Sequence, residues 1–301
     1  MKKQEIVNGS WDYLIILDAC RYDYFKRLYK NYDNLKEGKL EKRKSRGSNT
    51  TEWLKKTFKE PMEDVTYISA NPFINSKGMD LGEVKGSVKG EWNPKGKFKE
   101  IIDAWLTHWN EELNTVHPKD LTKLVKENKD KKLIVHYIQP HSPYITSGEQ
   151  SNEDFRRSRE IAANGSNRKK TKRRKLINKM KPLIHLIWER IPLKTRLKIK
   201  KSFGIELRTI NKFVIDGKIN ELKQLYRKNL KIALEEVNKA IEHLQGKIVI
   251  TADHGEGFGE QGIWVHPAGK DIPILREVPW LEINKRKSEK KRIKNHIKKI
   301  K

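Results

Sequence analysis

Apolar residues recur along this chain in short blocks, each closed by a polar or charged side chain. Residues 11–17, 65–69, 133–138 and 248–250 are short and rich in β-branched, aliphatic and aromatic side chains. Such runs predict strands buried on both faces of a sheet. Helical spacing is found over 24–32, over 51–58 (closed by Pro61), over 98–109 and over 119–126. It is clearest over 221–244, where Leu222, Leu225, Tyr226, Ile232, Leu234, Val237 and Ile241 follow one face until Gly246 stops the helix. Residues 38–50 read as a polar loop, 71–97 as a long irregular loop, and 279–283 as a last edge strand. Strand, helix, strand in this order predicts an α/β fold, a mostly parallel sheet with helices on both sides.

The chemistry gathers where the strands end. Asp18 closes the first, His141 follows the third in QPHSPY, and Asp253-His254 close the fourth in TADHGE. In open α/β sheets ligands collect at the carboxyl ends of strands. A carboxylate beside an imidazole at the end of a buried strand is costly without a partner, and a divalent cation is one that accepts both. A capped strand followed by a polar turn would look the same. Ser45, Ser48, Thr50 and Thr51 lie just before the helix of 51–58. There a hydroxyl serves either as an N-cap or as part of an anion site. Asp18, Thr50, Asp253 and His254 together would give one cation three strong ligands and an oxygen that the metal turns into a nucleophile. His266, in WVHPAG, lies in the following loop. Arg21 would bind a phosphoryl oxygen or pair with Asp23 or Glu256, and His136, inside a strand, reads as a core histidine.

Composition changes this picture in one respect. The net charge of the 301 residues is +27, and it is concentrated. Residues 154–201 carry eighteen Lys/Arg against three Asp/Glu, and residues 285–301 carry ten against one. The remainder is nearly neutral, so residues 1–284 read as a catalytic body with a basic insertion at about 151–218, and 285–301 as a basic tail. Leu, Ile, Trp and Phe interleave with the cations over 182–203. That mixture favours an anionic membrane surface as the partner of the insertion over nucleic acid, which needs few aliphatic groups. A mean hydropathy of -0.84 and apolar runs short of the ~20 residues of a membrane span predict a soluble chain. Asp18 ends the N-terminal apolar stretch too early for a signal peptide. The expected location is cytoplasmic, peripheral on the inner membrane face. The single cysteine, Cys20, excludes an internal disulfide.

DACRYD, GSNTTEW, QPHSPY, TADHGE and VHPAG, in that order, resemble the signature blocks of the alkaline phosphatase/sulfatase-like superfamily. The resemblance implies a three-layer αβα sandwich, alkaline-phosphatase-like, holding at least one divalent metal (Zn, Mn, Mg or Ca). It implies Asp18, Asp253 and His254 as metal ligands and Thr50, or Ser48 by spacing, as metal-bound nucleophile. His141 and His266 would contact substrate, protonate the leaving group or hold a second metal. No Cys-x-Pro-x-Arg block is present, which turns the expectation from sulfate toward phosphate esters, glycan- or lipid-linked. The alternatives are a sulfate-ester hydrolase and a non-enzymatic basic binding protein on the same scaffold.

Overall fold

The computed structural model describes residues 1–79, 92–147, 159–160, 162–163, 191–202 and 209–285. Its centre is a sheet of seven strands: β1 (Tyr13–Leu17), β2 (Lys39–Lys44), β3 (Met62–Ser69), β4 (Phe98–Asp103), β7 (Lys132–Tyr137), β8 (Gly246–Thr251) and β11 (Glu277–Lys285). They lie in the order β2-β11-β8-β1-β7-β3-β4. Every pairing from β8 to β4 is parallel, and β11 runs antiparallel to both β8 and β2. All strands but β11 therefore point the same way, and their carboxyl ends share one edge. Smaller antiparallel pairs are β5 (Trp109–Asn110) with β6 (Thr115–Val116), and β9 (Gly257–Phe258) with β10 (Trp264–Val265).

β1 reads YLIIL and is buried throughout, because both sheet faces are covered. Tyr13, Ile15 and Leu17 enter one apolar cluster with α1 (Tyr22–Leu28), α4 (Pro118–Glu127) and the long α7 (Ile219–Ile241). Leu14 and Ile16 enter the opposite cluster with Trp53 and Leu54 of α2 (Thr50–Thr57) and with Trp11, Phe58, Trp92 and Trp280. The period of two along the strand sorts side chains into two cores and gives the three-layer sandwich. Short helices α3 (Ala104–Thr107) and α8 (Pro273–Arg276) turn the chain at the edges. α5 (Leu193–Ser202) and α6 (Thr209–Asp216) share a third apolar cluster with α7 and the β9–β10 pair, through Leu197, Ile210, Val214, Leu222, Tyr226 and Phe258.

Three elements differ from the sequence reading. Residues 39–44, expected as loop, form the edge strand β2, whose solvent face accommodates the KLEKRK charges. Residues 98–103, expected as helix, form strand β4 beside β3, because sheet pairing outweighs a weak helical spacing. The segment at 279–283 is a strand, but an interior one between β8 and β2, so Leu281 and Trp280 are buried. Most of the basic insertion, the residues 80–91 of the irregular loop, and the tail after Lys285 lie outside the described residues. Among the described residues no helix is long and apolar enough to cross a membrane.

Candidate active site

The shared carboxyl edge brings the predicted residues together. Asp18 follows β1 directly and Asp253 lies two residues beyond β8. Thr50 opens α2, which is capped not by a hydroxyl but by Asn49, whose side chain accepts the Glu52 N–H. That leaves the Thr50 hydroxyl free for other work. Its Oγ1 donates to Asp253 Oδ2 at 2.7 Å and lies 3.2 Å from His254 Nε2. His254 Nε2 is 3.3 Å from Asp253 Oδ2 and 3.6 Å from Asp18 Oδ1. Thr50, Asp18, Asp253 and His254 are all at most 5 % exposed.

Asp253 and His254 each have one side fixed by the backbone and the other turned inward. Asp253 Oδ1 accepts the N–H groups of Ala19 (3.0 Å) and His254 (2.8 Å), so Oδ2 faces the cluster. His254 Nδ1 lies 2.8 Å from the Gly255 carbonyl, which fixes the Nδ1–H tautomer and directs the Nε2 lone pair inward. Asp18 Oδ1 finds no hydrogen-bond partner among the described residues. A buried carboxylate oxygen without a partner is costly, and here it faces an imidazole lone pair and a second carboxylate. Three oxygens and one nitrogen thus converge on one point, a donor set that fits a divalent cation.

The electrostatics agree. Burial, and then Asp253 beside it, push Asp18 well above the usual carboxylate range. Burial also opposes charge on Asp253, but His254, His136, the Ala19 N–H and the Thr50 hydroxyl outweigh it and hold Asp253 below that range. Burial keeps His254 below an ordinary histidine, hence neutral, as a ligand must be. Two adjacent buried carboxylates are not both charged without a cation.

The turn after β1 is held under strain. Ala19 has φ +58°, a left-handed conformation costing a side-chain-bearing residue about 1–2 kcal/mol. The Tyr226 hydroxyl of α7 secures it, donating to Ala19 O at 2.7 Å and accepting from Arg21 N at 2.9 Å. Asn229, one turn further along α7, donates to the carbonyls of His141 and Pro143, both at 3.0 Å, and accepts the Ile145 N–H. It holds the loop that carries His141. The His141 ring lies 5.0 Å from His266, and His266 lies 4.5 Å from His254, centroid to centroid. His266 Nδ1 is 3.3 Å from both carboxylate oxygens of Glu256. His141, Glu256 and His266 therefore form a second group whose ligand atoms lie within 4.8 Å of one another. Burial and His266 lower His141 to about 4, and burial raises Glu256.

Two predicted residues have other partners. Ser48 Oγ has two acceptors for its single proton, Glu52 Oε2 at 2.8 Å and Pro267 O at 2.9 Å, and accepts the Lys270 N–H. It ties the loop before α2 to residues 267–270, and among the described residues Thr50 is the alcohol that bonds within the cation cluster. Of the two roles open to Arg21, the structure shows the pairing one. Its guanidinium pairs with both Asp23 oxygens (2.9 and 3.0 Å), with Glu260 (2.8 Å) and with the Glu256 carbonyl (3.2 Å). Those bonds commit the fork to the protein. The sequence reading gave no role to Asn71, Tyr226 or Asn229 at this site, named Glu256 only as a partner of Arg21, and took His136 for plain core. The signal for Asn71 was present: it lies two residues past β3, as Asp253 does past β8.

No family model matches the chain, and no curated protein matches it. Solved structures do. The soluble domain of lipooligosaccharide phosphoethanolamine transferase A from Neisseria meningitidis is similar at 14% identity and a TM-score of 0.46, over 96% of this chain and 81% of that one. The integral membrane form of that transferase is similar at 14% identity and a TM-score of 0.45, over 96% of this chain and 50% of that one, so this chain spans about half its length. The zinc complex of the C-terminal periplasmic domain of EptC from Escherichia coli follows at 13% identity and a TM-score of 0.43, covering 95% and 76%.

Proposed function

We propose that this chain is a metal-dependent transferase or hydrolase of phosphate esters with Thr50 as its nucleophile. One observation carries the proposal: the Thr50 hydroxyl, Asp18, Asp253 and His254 converge around a carboxylate oxygen that has no hydrogen-bond partner among the described residues. Those four residues would hold the cation. Bound there, a divalent ion supplies Lewis acidity that lowers the hydroxyl pKa and offsets charge on the phosphoryl oxygens. The Thr50 hydroxyl is oriented by its hydrogen bond to Asp253 Oδ2, and its proton would pass to solvent as the cation lowers its pKa. Thr50 Oγ1 then attacks phosphorus, so a Thr50 O–P bond forms as the ester P–O bond breaks. His266, facing the Glu256 carboxylate, is placed to deliver a proton to the leaving oxygen. His141, neutral at neutral pH, would face the water or acceptor hydroxyl that releases the phosphoryl group.

A second reading has its own observation. The convergence of His141, Glu256 and His266 within 4.8 Å would hold a second cation in place of proton transfer. Either way the substrate class is an anionic phosphate ester, and the basic insertion would bring the site to an anionic membrane surface. The test is turnover of a chromogenic phosphomonoester, a phosphodiester and a sulfate ester, with and without Mn²⁺ or Zn²⁺. Metal-dependent phosphate turnover, lost in Asp253→Ala and Thr50→Ala, supports the proposal. Inactivity on all three esters with tight, salt-sensitive polyanion binding would make the chain a basic binding protein instead.

A further inference from the structure

Asp18 offers the cluster one oxygen and keeps the other elsewhere, and two buried residues account for the division. Asn71 is fully buried, and its Nδ2 donates to Asp18 Oδ2 at 2.8 Å. The orientation of this amide is determined by its surroundings. Its Oδ1 accepts the Phe73 N–H at 3.0 Å; a backbone N–H only donates, so oxygen must face Phe73 and nitrogen must face Asp18. The backbone of Asn71 is itself clamped, since Ser69 Oγ donates to Asn71 O at 2.7 Å and accepts Asn71 N–H at 3.1 Å.

The second residue is His136 of β7, also fully buried. Its Nδ1 lies 2.8 Å from the Tyr67 hydroxyl of β3, and its Nε2, without a hydrogen-bond partner among the described residues, lies 3.9 Å from the same Asp18 Oδ2. A lone pair at Nε2 would repel that oxygen. The favoured arrangement has Tyr67 donating to Nδ1 and Nε2–H directed at Asp18.

We infer that Asn71 and His136 are positioning residues for Asp18: Asn71 holds Oδ2 by a hydrogen bond and His136 faces the same oxygen at 3.9 Å, which leaves Oδ1 as the oxygen this carboxylate presents to a cation. The inference rests on the metal-site reading above. It makes Asp18 a one-oxygen ligand of fixed direction, which suits a small ion with few ligands better than calcium, which accepts two-oxygen carboxylates and a larger shell. Outer partners of this kind typically account for 10- to 100-fold in metal affinity, as a rough range.

The experiment titrates the metal-free full chain with Zn²⁺ against a chromophoric chelator and records the visible spectrum of the Co²⁺ form. Asn71→Ala is expected to raise the Zn²⁺ Kd by about 10- to 100-fold and to alter the Co²⁺ bands. His136→Phe should weaken binding too, while His136→Gln, which keeps an N–H near the Nε2 position, should restore most of it. A rescue of that kind is not expected from a residue that only fills space. If Asn71→Ala fails to fold by circular dichroism, Asn71→Ser carries the test: its hydroxyl can serve the Phe73 N–H but is too short to reach Asp18. A folded variant with wild-type Zn²⁺ affinity and an unchanged Co²⁺ spectrum overturns the inference. Failure of the wild type to bind any divalent ion would instead overturn the functional reading beneath it.

Discussion

Thr50 differs from its neighbouring hydroxyls because Asn49 performs the capping and Glu52 engages Ser48. From the sequence, Ser48 and Thr50 were equivalent alcohols ahead of a helix. What separates them is which side chain takes the cap, and that depends on backbone geometry. Thr50→Ala is expected to lower kcat by about 10³-fold or more, with Thr50→Ser retaining part of the activity in the same phosphomonoester assay. Glu52 has a structural role that the pH dependence should reveal. Burial opposes its charge, but Lys56, the Ser48 N–H and hydroxyl, and the Gly269 N–H outweigh it and lower its carboxyl to about 2. A carboxyl with a depressed folded-state pKa stabilises above its unfolded pKa, near 4.3, and that contribution is lost as pH falls toward about 2. Glu52→Gln should therefore cost about 1–3 kcal/mol at pH 7 and much less near pH 2, read from urea midpoints at the two pH values.

At the level of elements, β1, β3, β7 and β8 were legible because each carries a short buried apolar run, and β1 and β8 lead into Asp18 and Asp253-His254. β2 and β4 were not legible. The charged KLEKRK edge strand gains its pairing from β11, more than 200 residues away in sequence, and no local pattern encodes that. α7 was read correctly as a helix, but Asn229 on its buried face was passed over. A polar residue in an apolar stripe is a signal that something nearby needs hydrogen bonds. Asn229→Leu should release the loop of His141, lowering kcat while leaving the helix folded, a combination that kinetics and circular dichroism check together. The glycine after Asp253-His254 allows a close contact. A Cβ at Gly255 would lie 2.0 Å from the Ile274 carbonyl oxygen, and its N–H bonds to Leu275 O. Gly255→Ala should destabilise by about 1–3 kcal/mol and displace His254, measurable as loss of both stability and metal binding.

At the level of the whole molecule, charge and chemistry occupy adjoining regions. α5 exposes Lys194, Lys198 and Lys201 while Leu197 is buried in the cluster shared with Phe258 and Trp264, close in sequence to His266. A cationic surface beside the site raises the encounter rate of anionic substrates and is screened by salt. For a polyanionic ester kcat/KM should fall steeply between low and high ionic strength, and much less for a small chromogenic ester. The charge balance was evident from composition, whereas the position of α5 next to the β9–β10 pair depends on tertiary packing. Buried Asp18 adds a linked expectation. Burial and Asp253 raise its pKa in the metal-free protein, and a ligand must be ionised. Metal binding should therefore release protons and tighten as pH rises, as calorimetry in buffers of different ionisation enthalpy would record. The most direct measurement is anomalous scattering from a crystal grown with Zn²⁺ or Mn²⁺. The account predicts one strong peak about 2.0–2.2 Å from Asp18 Oδ1, Thr50 Oγ1, Asp253 Oδ2 and His254 Nε2. A peak elsewhere, with Thr50 still bonded only to Asp253, would contradict it.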